Sequence, residues 1–170
     1  MKPYAIFLDR DGVINKHRAD YVKNLQEFEL LPNIHDYLKE LLSLGFKLII
    51  ITNQSAINRG LLTTEELLNI HQFLVDNLAR HGCDIVDIFF CPHRPNEDCE
   101  CRKPKTKMFL DAAKKHNIDL ANSWVIGDSQ TDIQAANKIG CRSIKVTANG
   151  SLKNAIDIIR DKVMKENTTH

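Results

Sequence analysis

At 170 residues, with 43% apolar and 26% charged side chains, the chain has the size and composition of one soluble globular domain that needs no disulfide staples. A formal net charge of +1 gives no global field for nucleic acid or an anionic membrane surface, and no apolar run approaches the length of a bilayer span. Met1-Lys2-Pro3-Tyr4 leads straight into a strand-like segment instead of a signal sequence, so a cytoplasmic location is expected.

In chain order, the first continuous apolar run is 4–8, a strand. The connection 15–26 follows it. Pro32 is placed to be the first residue of a helix over 32–44, which Gly45 ends. A second strand covers 47–51. A helix opens at Thr64-Glu65-Glu66 and runs to His81, where Gly82 stops it. The third strand is 85–90, and the connection 91–105 comes next. A helix spans about 105–116. The fourth strand is 123–126, the next helix 129–139, the short fifth strand 143–146 and the last helix 151–164. The runs are continuously apolar, as in strands buried on both faces. Strand and helix alternate, which predicts a doubly wound parallel α/β sheet. Residues 1–170 read as a single domain without repeats or linkers, and its two long connections are the places to look for function.

Open α/β sheets bind ligands outside the carboxyl ends of their strands. Strand one ends in Asp9-Arg10-Asp11-Gly12 and strand two in Thr52-Asn53-Gln54-Ser55. Strand four ends in Gly127-Asp128-Ser129, with Asp132 one turn on, and the connection after strand three closes on Arg102-Lys103-Pro104. Carboxylates gathered at one edge repel unless a hard cation such as Mg²⁺ sits among them. A phosphate there could be neutralised by that cation, by Lys103 and by backbone N–H groups. Asp9 then suits a nucleophile attacking phosphorus, and Asp11 a proton donor to the leaving oxygen and later a base for water. Each signal alone has a bland reading. Asp9 could be a turn former and Asp128 a helix cap, and Asp-x-Asp-Gly could suggest a calcium loop, although its glycine comes too early for an EF-hand. The conjunction at successive strand ends favours catalysis.

Three of the five cysteines crowd into the second long connection. Cys91, His93, Cys99 and Cys101 form a complete tetrahedral set for structural Zn²⁺, with no position left for substrate. Free thiols or a labile disulfide are the competing readings. A metal there would tie down a polar loop and fix Arg102 and Lys103 beside the phosphate site. Cys83 and Cys141 read as small core residues, and His17, His35, His71, His81 and His116 as surface or helix-face residues with no pattern of their own.

Asp9-Arg10-Asp11-Gly12-Val13-Ile14-Asn15, Ile51-Thr52-Asn53-Gln54, Lys103 and Gly127-Asp128-Ser129-Gln130-Thr131-Asp132 resemble, in order, the four motifs of the haloacid dehalogenase (HAD) superfamily of phosphatases. The resemblance implies a Rossmann-like sheet of the HAD type, with Asp9 as nucleophile and Asp11 as general acid and base. Thr52 and Lys103 would hold the phosphoryl group. Mg²⁺ would be bound by the Asp9 carboxylate, the Asp11 main-chain carbonyl and Asp128, with Asp132 orienting the fourth motif. The insertion Cys-Pro-His…Cys-x-Cys-Arg-Lys-Pro resembles two groups in which the zinc is structural and no large cap domain is present. These are the D-glycero-D-manno-heptose 1,7-bisphosphate phosphatases and the histidinol-phosphate phosphatases. Residues 52–60 and Tyr21-Val22 favour the heptose group, although Ala56 stands where glycine is common; residues 121–128 favour the histidinol group. By family position, His17, Tyr21, Gln54, Ser55 and Arg102 are candidates to contact substrate, together with Arg10, Asn53 and Ser129. The expectation is a monomer acting on a small phosphorylated metabolite. A non-catalytic zinc-stabilised module and a nucleic-acid 3′-phosphatase are weaker alternatives, and the 6% aromatic content gives little support for the latter.

Overall fold

The computed structural model describes residues 1–169. Its strands are β1 (Ala5–Leu8), β2 (Lys47–Asn53), β3 (Ile85–Cys91), β4 (Trp124–Gly127) and β5 (Arg142–Lys145). Its helices are α1 (Ile34–Ser43), α2 (Thr64–Arg80), α3 (Lys107–His116), α4 (Gln130–Ile139) and α5 (Lys153–Thr168), with one 3₁₀ turn at Leu25–Glu27.

The five strands form one parallel sheet in the order β3-β2-β1-β4-β5. Successive residues alternate between its two faces. Ile6, Leu8, Leu48, Ile50 and Ile126 pack with α1, α2 and α5, while Ala5, Phe7, Ile49, Ile51 and Val125 pack with α3 and α4. Helices therefore cover both faces, and the continuous hydrophobicity of the strands has its physical cause. β1 lies at the centre, between β2 and β4. The chain winds outward to β3 on one side and then crosses to β4 and β5 on the other. The carboxyl end of β1 is thus the topological switch point, where a crevice opens.

Helix ends decide which carboxylates are free. α4 is capped by Ser129, whose hydroxyl accepts an amide of the first turn, and the Asp132 carboxylate returns to the Ser129 N–H. Asp128, the alternative cap suggested by the sequence, is left to face the crevice. α2 has a full capping box between Thr63 and Glu66. Pro32 does not begin α1: Asn33 adopts a left-handed backbone and the helix starts at Ile34. Leu31 is pinned to the Ile14 carbonyl, so Pro32 and Asn33 form the turn that redirects the chain into the helix.

Candidate active site

The turn after β1 is wound around one carbonyl. The Arg10 oxygen accepts the amides of Val13, Ile14 and Asn15, and Gly12 completes the turn at φ +86°. A Cβ on Gly12 would collide with the Asp128 carboxylate, so glycine is required both by the left-handed backbone and by this close approach. Asp9 Oδ1 accepts the Arg10 N–H at 2.8 Å and the Lys103 ammonium at 3.1 Å, which fixes the position of that oxygen.

Lys103 reaches in from the end of the 91–105 connection. Its ammonium, 2% exposed, also meets Asp132 Oδ1 at 2.6 Å and donates to the Ile51 carbonyl at 2.7 Å. Its main chain is held by Asn53 at the tip of β2. The Asn53 amide oxygen accepts the Lys103 N–H at 3.0 Å, and its NH₂ donates to the Lys103 carbonyl at 3.3 Å.

Asp9, Asp128 and Asp132 can bring one oxygen each within 4.8 Å of one another. Three carboxylates facing one ammonium leave an excess of two negative charges, which suits a divalent hard cation. Burial pushes the Asp9 carboxyl well above the usual range; Lys103 pulls it back, and Asp132 and Asp128 push it further up. The site thus favours either a proton or a cation on this group. Lys103 is the converse case: burial would lower its affinity for a proton, but Asp9 and Asp132 outweigh that and raise it.

Asp11 is held differently. Its Oδ1 accepts Arg10 Nη2 at 2.8 Å, Arg10 Nε at 3.3 Å and Asn15 Nδ2 at 2.8 Å. Among the described residues its Oδ2 accepts Gln54 Nε2 alone, at 2.8 Å. Burial alone would raise its pKa, but the Arg10 charge and the donors from Asn15, Arg10 and Gln54 hold it below the usual carboxylate value.

Asp9, Asp11, Asp128 and Lys103 line a cavity of about 690 Å³. Of the expected substrate contacts, His17, Tyr21, Asn53, Gln54, Ser55, Arg102 and Ser129 line it as well. Two of the candidates lie behind the cavity wall. Arg10 is fully buried beneath the first turn and does not line the cavity, because its guanidinium is engaged by Asp11 and His71 and lies 5.5 Å from the Phe28 ring. Thr52 is also fully buried and off the cavity wall, its hydroxyl accepting Gln54 Nε2 at 2.9 Å. His71, read as a helix-face residue, is buried on the inner face of α2.

Sequence reasoning also missed several residues. Asn15 anchors Asp11; Arg18, Lys105, Thr131 and Lys138 join the cavity; and Asn149 accepts the His17 N–H at 2.6 Å, 132 residues away in sequence. Asn15 sits inside the first motif and could have been picked up from it, whereas Asn149 carries no local signal.

Cys91 Sγ lies 3.9 Å from Cys99 Sγ and 3.2 Å from His93 Nδ1, which is 3.1 Å from Cys101 Sγ. Tetrahedral metal–sulfur bonds of about 2.3 Å put sulfurs about 3.8 Å apart, so the four atoms can hold one soft or borderline metal ion. The cluster is joined to the carboxylate site through Cys91, the last residue of β3. It pairs with Asn53, and its carbonyl accepts the Gln54 N–H at 2.8 Å.

Comparison with known proteins agrees with this geometry. Residues 100–161 match the HAD-hydrolase-like family model. The D-glycero-beta-D-manno-heptose-1,7-bisphosphate 7-phosphatase of Helicobacter pylori strain J99 is 40% identical over 163 residues, covering 95% of this chain and 93% of that protein. The Yersinia pestis enzyme of the same name is 42% identical over 139 residues, or 78% and 73% of the two chains. The crystal structure of D,D-heptose 1,7-bisphosphate phosphatase from B. bronchiseptica with magnesium and phosphate superposes with a TM-score of 0.81 at 39% identity, covering 91% of this chain and 86% of that one. The chain therefore belongs to the HAD-like phosphatases, in the family that contains the heptose-1,7-bisphosphate 7-phosphatases.

Proposed function

We propose that the protein hydrolyses the 7-phosphate of D-glycero-D-manno-heptose 1,7-bisphosphate through a phosphorylated Asp9. The observation that carries the reading is the Asp9 carboxylate, fixed beside Lys103 and Asp128 in a cavity that also presents Arg18, Arg102, Lys105 and Lys138. One phosphate is met at Asp9, and cations remain for a second. The similarity of the whole chain to heptose bisphosphate phosphatases favours this substrate over histidinol phosphate.

Mg²⁺ would be held by Asp9, Asp128 and the Asp11 carbonyl, where it supplies positive charge to the phosphoryl oxygens and keeps Asp9 ionised. Asp11, held ionised in the free site, takes up a proton when the substrate phosphate brings negative charge beside it. An Asp9 oxygen then bonds to phosphorus as the bond to the sugar oxygen breaks, and Asp11 gives that oxygen its proton. Lys103 neutralises charge on the transferred group. Asp11, now ionised, takes a proton from water as the water oxygen attacks phosphorus, which releases inorganic phosphate and restores Asp9. Asp132 holds the Lys103 ammonium in place, at 2.6 Å. Zn²⁺ on Cys91, His93, Cys99 and Cys101 would order the loop that presents Arg102 and Lys103.

No helix among the described residues is long and apolar enough to cross a membrane. The proposal places the enzyme in the cytoplasm as a monomer acting on a soluble sugar phosphate. A phosphate-release assay with Mg²⁺ on heptose 1,7-bisphosphate and histidinol phosphate side by side tests it. Faster turnover of the heptose is expected, and a clear preference for histidinol phosphate overturns the substrate assignment.

A further inference from the structure

We propose that His71, on α2 and outside the cavity, is a positioning residue for proton transfer by Asp11, acting through the buried Arg10. The inference rests on the proposed role of Asp11 as proton donor and acceptor.

Arg10 has only donors, so the 3.1 Å contact between its Nη1 and His71 Nε2 requires an unprotonated Nε2, with the ring proton on Nδ1. His71 is placed for this by α2, whose inward face also carries Leu67, Ile70, Leu74 and Leu78, and its ring meets Phe90 edge-on at 6.1 Å. Burial and the Arg10 charge, against the opposing pull of Asp11, lower its pKa to about 3, so it stays a neutral acceptor. The Arg10 guanidinium is thereby held from two sides, by His71 at Nη1 and by Asp11 Oδ1 at Nη2 and Nε.

The consequence is an asymmetric carboxylate. Oδ1 takes three donors and Oδ2 takes one, so the proton in transit resides on Oδ2. Removing the His71 acceptor leaves one face of the guanidinium unheld. Arg10 is then held by Asp11 alone, so the Asp11 carboxylate is aimed less tightly, while Asp9, Lys103 and Asp128 keep their places.

The test compares phosphoenzyme formation in single turnovers on 4-nitrophenyl phosphate, whose leaving group needs no proton, and on an alkyl phosphate, whose leaving group does. Asp11→Asn is the control for the underlying reading: it must slow the alkyl ester far more than the aryl ester, and equal slowing sinks the role of Asp11 itself. Given that selectivity, His71→Leu is expected to slow the alkyl ester by about 10- to 100-fold, with the aryl ester within a few fold and KM little changed. His71→Gln, which keeps an acceptor, is expected to recover most of the loss. Equal slowing of both esters by His71→Leu, or no slowing of either, overturns the proposal. If His71→Leu does not fold, His71→Met, which also removes the acceptor but leaves Arg10 in place, is used instead. A folded His71→Met variant with the wild-type ratio of alkyl to aryl rates overturns the proposal, and one selectively impaired on the alkyl ester supports it.

Discussion

The two clusters able to hold metal are built on opposite plans. The Cys91–His93–Cys99–Cys101 set comes from one short stretch of chain and closes on itself, with all four donors turned to one point. The Asp9–Asp128–Asp132 set is drawn from the ends of β1 and β4 and the start of α4, and its carboxylates open onto the cavity. A metal on the first would fix the 91–105 loop. The second is fixed by the sheet and keeps an open side for substrate. Closure marks a structural site and openness a working one. The two are coupled, because Lys103, at the end of the first, supplies the ammonium of the second.

The largest expected effect separates chemistry from framework. Asp9→Asn removes nucleophilicity at nearly constant volume, and turnover in a phosphate-release assay should fall on the order of 10⁴-fold or more. The melting temperature should hold or rise, since the substitution also relieves repulsion from Asp128 and Asp132. A variant that keeps a tenth of the activity would break the assignment of the open cluster.

Lys103→Met comes next and tests the coupling. Asp132, 1% exposed, would lose its cationic partner, and breaking such a buried pair costs about 3–5 kcal/mol. Turnover should fall by about 10²- to 10³-fold with it. An active variant of normal stability would mean that the two clusters work independently.

Removing the metal of the closed cluster should be milder for the sheet and harsher for the loop. Cys101→Ala is expected to abolish stoichiometric zinc by elemental analysis and to increase proteolysis within residues 91–105. Activity should drop because Lys103 loses its anchor on that side. Zinc retained at full stoichiometry would contradict the four-ligand reading.

Acid sharpens the comparison from beneath. His71 is a base with its folded pKa at about 3, below its ordinary 6.5. The unfolded chain therefore binds more protons than the folded one between those values, and stability rises with pH across that window and is lost as pH falls through it. His71→Gln should flatten this slope in urea titrations, and an unchanged slope would rule out His71 as its source. The smallest effect is expected at Asn149→Ala, which releases the His17 loop. A severalfold rise in KM with little change in kcat or melting temperature is the predicted outcome, and a loss of kcat would contradict it.

Much of this was legible in the sequence because it lies in short stretches. The motif carboxylates, the Cys/His cluster and the alternation of strand and helix are all encoded locally. The exceptions have a common physical cause. Arg10 sits between two site aspartates and looks like a substrate contact, yet its direction is decided by His71, 61 residues away. Asn149 acts on a loop 132 residues distant. Where a side chain's partner is far along the chain, composition and spacing carry no trace of it. Helix starts shifted for the opposite reason: Pro32 and Asp128 fit their local rules, but Leu31 and Ser129 made the stronger bonds.

The Asn53 clamp has a consequence for how this catalyst can be altered. Both of its partners on residue 103 are main-chain atoms, so it grips the peptide and ignores the side chain. Anchorage and electrical function are thus assigned to separate groups of one residue. A substitution that neutralises the lysine can therefore remove the charge while the backbone that delivered it stays docked to the sheet.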